Sequence, residues 1–188
     1  MSRAAKALAS GLCAIFLACA GSGAPAEPPK APAASGHGYA LLYEILGQEK
    51  KVSQLLVIKE DRKALGAVID AIAETCGKAY QRLGQLAERS PRLNLSDNGL
   101  PAEEIRAREL IQQTRRDLLL ASSGRELELQ LLLTQNEALT YAAHLADTLS
   151  RSESDPERSA FLKTLWKDLT KHLHDVQALL RGSLRPKG

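Results

Sequence analysis

From Tyr39 onward the apolar residues of this chain recur every three or four positions, and strand-like alternation is nearly absent. That spacing predicts amphipathic helices, each with one buried face. In the first, Leu41, Ile45, Val52, Leu55 and Leu56 share a face. Asp61 is placed to cap a second helix, whose stripe runs Leu65, Ile69, Ile72, Cys76, Ala79, Leu83 and Leu86. Its steps alternate between four and three, the seam of a bundle or coiled coil. The boundary near residues 58 to 61 also admits one continuous helix.

Pro91 and Asn98-Gly99 mark a turn-rich linker over residues 90–100. Pro101, followed by Glu103 and Glu104, opens a third helix, with acids near the positive end of the dipole. Ser122-Ser123-Gly124 interrupts that pattern. Ser123 and Glu126 have capping-box spacing, so a new helix or a kink starts there. Its expected buried stripe is Leu127, Leu131, Thr134, Ala138, Tyr141, Leu145 and Leu149. Asp155-Pro156-Glu157 starts the last helix, which carries Leu162, Leu165, Leu169, His172, Val176 and Leu179 and ends at Gly182. Long apolar stripes with polar backs and short turns predict an all-α, antiparallel four-helix bundle over residues 39–182, with a tail at 183–188. Whether residues 102–121 form a separate piece is open at this level.

The N-terminus follows a different pattern. Arg3 and Lys6 precede an apolar, small-residue run from Ala7 to Ala18, about half the ~20 residues a membrane-spanning helix needs. This is the layout of a bacterial export signal over residues 1–18, to be set aside before fold reasoning. Two cleavage readings compete. Phe16-Leu17-Ala18-Cys19 resembles a lipobox, which makes Cys19 a lipidated first residue, although Phe16 stands where leucine is usual. Alternatively, Ala18-Cys19-Ala20 or Ala24-Pro25-Ala26 is an ordinary A-x-A site and the product is soluble. Ala20 after the cysteine favours the outer membrane under the usual sorting rule. Residues 19–38 are nearly all Ala, Pro, Gly and Ser and cannot bury enough area to offset ordering entropy. They read as a spacer, with His37 solvated inside it.

Charge and cysteine usage follow from that cut. The chain has 25 basic and 22 acidic residues; without Arg3 and Lys6 the balance is 23 to 22. Nothing then favours nucleic acid as a partner. With Cys13 removed and Cys19 lipidated or lost, Cys76 is the one thiol expected in the folded domain, and no internal disulfide is expected.

Candidate chemistry is sparse. His172 falls on the last stripe, with Asp168 one turn before it and Asp175 about one turn after. It reads either as a metal- or proton-handling group oriented by a carboxylate, or as a core-edge histidine bonded to an acid or to a polar group across the bundle. His174 points nearly opposite to His172, so the two cannot grip one ion. Cys76 reads as a small apolar filler unless a nearby cation activates it. No Glu-x-x-His pair of the di-iron type occurs, and no nucleophile elbow, P-loop or dinucleotide fingerprint. No cofactor and no enzymatic activity are expected.

Three segments carry a family resemblance: Ile72-Ala73-Glu74-Thr75-Cys76 leading to Leu83-Gly84-Gln85-Leu86-Ala87, then Ser123-Gly124-Arg125-Glu126-Leu127, then His172-Leu173-His174-Asp175-Val176-Gln177. Together, over residues 41–180, they resemble the ferritin-like bacterial envelope proteins grouped as domain of unknown function 4142. The resemblance implies a ferritin-like bundle and export, but no defined activity. It also implies histidines at the positions of Cys76 and Leu139; only His172 keeps its place. The expected function is an exported, lipid-anchored bundle of the cell envelope, on the periplasmic side of the outer membrane if lipidated and otherwise periplasmic or secreted. Its expected role is non-enzymatic, structural or binding, with the membrane as partner through Cys19 and room for an envelope protein. The alternative is a small metal-binding or redox bundle using His172 and nearby carboxylates.

Overall fold

In the computed structural model, residues 36–55 and 63–184 are described, and all of them belong to one compact unit, Ala31–Gly188. Among the described residues the regular structure is entirely helical: α1 (Gly36–Glu49), a 3-10 turn (Val52–Leu55), α2 (Lys63–Ala87), α3 (Ala102–Ala121), α4 (Gly124–Ser152) and α5 (Pro156–Leu184). No described helix is long and apolar enough to cross a membrane. The export signal, Cys19, most of the spacer, the capping residue Asp61, Leu56 and the tail from 185 lie outside the described residues.

The helices pack antiparallel around one core. Lys50 lies against Gly77 and Tyr43 against Gly84, so α1 runs opposite to α2. Gly38 meets Leu149 and Glu49 meets Gln135, so α1 also runs opposite to α4. Thr75 pairs with His172 and Arg82 with Glu157, which sets α2 against α5. Asn136–Gln177 and Glu128–Ser183 contacts set α4 against α5. It follows that α2 and α4 run the same way. The chain between them must return along the bundle, and α3 makes that crossing, its 20 residues covering about 30 Å. α3 lies along α4, with Arg115 paired to Glu137, and buries only Leu119.

The stripe expected on α2 holds, and that on α5 holds as far as Val176, with Leu179 half-buried. Leu65, Ile69, Ile72, Cys76, Ala79, Leu83 and Leu86 are all buried, as are Leu162, Leu165, Leu169, His172 and Val176. Two other stripes are corrected. α1 ends at Glu49 and buries Tyr39, Leu42, Leu46 and Glu49, while Leu41 and Ile45 are half-buried. α4 buries Leu132, Gln135, Leu139, Ala142 and Ala146 in place of Thr134, Ala138, Tyr141 and Leu145; Tyr141 is exposed. Adjacent leucines make both phases apolar, so packing rather than periodicity chose between them.

Boundaries shift as well. Residues 36–38, expected in the spacer, form the first turn of α1. A Cβ on Gly38 would sit 2.8 Å from Leu149 Cδ2, so glycine lets α1 approach α4, and that packing outweighs its poor helix propensity. His37 accordingly is not isolated: its Nε2 lies 3.5 Å from Asp97 Oδ2. Gly182 does not stop α5, which continues to Leu184. At the α3–α4 break the Ser123 side chain makes no capping bond. Gly124 at φ 55° redirects the chain there, and Ser122 Oγ donates to Leu118 O at 2.8 Å. Asp155 caps α5 as expected, accepting the Arg158 N–H at 2.8 Å, with Pro156 at the first helical position.

One end of the bundle is tied by buried polar groups. Tyr39 donates its hydroxyl to Glu153, which also accepts from Arg158 Nε at 3.1 Å. Arg158 also donates to Pro91 O at 3.0 Å. This ion pair is almost fully buried, but each charge has several hydrogen-bond partners, which is the condition for tolerating it. Burial pushes the Glu153 carboxyl up, yet the hydrogen bonds from Tyr39, from the Asp155 N–H and from Arg158 outweigh it and hold the group below its usual range.

Candidate functional site

Of the residues singled out in the sequence, two, His172 and Asp168, meet at the α2–α5 face. His172 is 7 % exposed, and its Nε2 lies 2.9 Å from Thr75 Oγ1 on α2. Both line a cleft of about 390 Å³ whose rim includes Asp168, Lys171 and Arg82. Asp168 and Asp175 are exposed, and the hydrogen-bond partner of the imidazole is the hydroxyl across the bundle. Burial holds His172 below its usual range, with a smaller push from Lys171; Asp175 and Asp168 oppose it. The residue is therefore a neutral, hydrogen-bonded histidine near pH 7.

Cys76 adjoins Thr75 in sequence but faces the core and is fully buried and free. Burial, and secondarily the charge of Glu49, push its thiol up to about 12, so it is not a thiolate at neutral pH. No three His, Cys, Asp or Glu side chains among the described residues sit close enough to hold a metal ion. The sequence candidates therefore divide into a polar cleft and a core filler.

A second site was not read from the sequence. α1, α3 and α4 enclose a groove of about 1010 Å³. Leu41, Ile45 and Val52 form one wall, Ile111 and Leu119 another, and Leu131 and Ala138 part of the third. Four acidic and four basic side chains also line it, so the groove is close to neutral. Glu49 and Gln135, which are 9 % and 1 % exposed, form its polar floor. Gln135 Nε2 donates to Glu49 Oε2 at 2.7 Å. Its other amide atom, Oε1, is buried with no hydrogen-bond partner among the described residues. Desolvation raises the Glu49 carboxyl above its usual range, and the bond from Gln135 only partly offsets this. A signal for Glu49 was present: Leu42, Leu46 and Glu49 step by four and three, placing a carboxylate on a buried stripe.

The groove has the form of a small-molecule site: concave, mostly apolar, with a few convergent polar groups and one perturbed acid. The cleft at His172 is smaller, and its Thr75 hydroxyl and His172 Nε2 are already paired with each other. Searches of protein-family models, of curated proteins and of solved structures find no match to this chain.

Proposed function

We propose that this protein is an exported, lipid-anchored helical bundle of the bacterial cell envelope with a non-enzymatic, ligand-binding role centred on the α1–α3–α4 groove. The observation that carries the binding role is the floor of that groove, a buried carboxylate paired with a buried amide whose oxygen has no partner among the described residues, between apolar walls. Buried polar atoms are normally paired, and unpaired ones concentrate where a ligand or ordered water completes them. Export and anchoring rest on the N-terminal run ending in Cys19. The ferritin-like, four-helix reading rests on the antiparallel pairs and on the one long crossover through α3, the connection that distinguishes ferritin-like bundles. The resemblance to the domain of unknown function 4142 family points the same way.

The groove reading is tested with the neutral fluorescent probe N-phenyl-1-naphthylamine. The wild type enhances its emission on binding. Ala138→Trp, which fills the groove from α4, loses that enhancement while keeping the wild-type helical circular dichroism. Equal binding by both proteins places the probe elsewhere and overturns the reading.

A further inference from the structure

We propose that the groove binds an amphiphilic amine, its ammonium group seated on Glu49 and Gln135 and its apolar body along α3 and α4. This deepens the proposed binding role and rests on it. The argument starts from the amide of Gln135. Because Nε2 is committed to the Glu49 carboxylate at 2.7 Å, Oε1 must point away from it and lacks a donor. The floor therefore presents acceptors: the amide oxygen and the carboxylate. Burial disfavours the Glu49 charge, and the bond from the Gln135 amide only partly offsets this. What the floor lacks is a positive charge carrying several N–H donors, which a primary ammonium supplies in one atom.

The walls select the rest of the ligand. Ile45, Val52, Ile111, Leu119 and Leu131 offer hydrocarbon surface above the floor. Of the four cations lining the groove, Arg115 is engaged by Glu137 and Arg108 by Glu104, while Lys51 and Arg116 are balanced in number by Glu44 and Glu109. A carboxylate or phosphate driven to the floor would meet Glu49 itself. A lipid headgroup that carries phosphate beside its amine is disfavoured for the same reason. A free alkylamine meets each requirement.

The test is isothermal calorimetry on the full chain at neutral pH with three probes of equal chain length: decylamine, decanol and decanoate. Decylamine is expected to bind about ten-fold or more tighter than the other two, the scale of one charge-assisted hydrogen-bonded contact. Glu49→Gln removes that preference, bringing decylamine within about three-fold of decanol on the same variant. Ala138→Trp, which leaves the floor intact, weakens all three probes. If decylamine and decanol bind alike to the wild type, the amine inference is wrong and the binding role stands. Tighter binding of decanoate also overturns it, in favour of selection by the arginines. If no probe binds, the inference and the proposed binding role both fail.

Discussion

At the scale of single residues, Glu49 decides most. A carboxylate buried against one amide costs free energy when ionised, and nothing in its own helix requires it. Because its folded-state affinity for a proton is raised, its unfavourable effect is absent below the ordinary carboxylate range. It grows as pH rises through the folded-state value. Glu49→Gln is therefore expected to be more stable than wild type at pH 8, by about 1–3 kcal/mol, the cost of an incompletely satisfied buried group. That gain should fade in thermal melts taken towards pH 4. A variant less stable than wild type at pH 8 would show that the carboxylate supports the fold instead of burdening it. The opposite behaviour belongs to Arg158. Removing its guanidinium leaves Glu153 charged and buried, so Arg158→Ala should lose about 3–5 kcal/mol in a denaturant titration.

Glu49 was legible in principle and missed for a definable reason. On α1 the pairs Leu41-Leu42 and Ile45-Leu46 give two apolar phases of equal quality, and the phase that continues to a leucine-rich tail looks better than the one that ends in an acid. Leu131-Leu132-Leu133 created the same ambiguity on α4 and hid Gln135. On α2 and α5 one apolar phase dominates, and there most of the residues the spacing names are buried. The groove needed both hidden residues, so no local pattern could show it.

Among the elements, α3 stands apart. It exposes Ile105, Leu110, Ile111, Leu118 and Leu120 and buries only Leu119, so little area holds it to α4. The left-handed Gly124 at the start of α4 breaks the helix between the two. Segments with few buried contacts open at low free-energy cost. In hydrogen exchange, α3 amides should exchange well before those of α2 and α5, and saturating decylamine should slow α3 selectively. Uniform protection across the helices would remove the case for a loosely held wall. The helical class and most element positions were readable from periodicity and caps. The role of residues 102–121 was not, because a crossing helix and a core helix have similar patterns when only tertiary contacts separate them.

For the whole molecule, the proposed tether and the bundle are separable. Cys19→Ala is expected to move the protein from the membrane pellet to the soluble fraction, while its thermal melt in solution is unchanged. Detergent dependence identical in both would count against the lipid anchor. The antiparallel pairs have one further consequence. α1 starts beside the α4–α5 turn, whereas α5, 29 residues long, finishes about 44 Å away at the opposite end. A circularly permuted chain would thus need a joint of roughly 13 extended residues, while a reporter fused after α5 would sit at the far pole from the first helical turn.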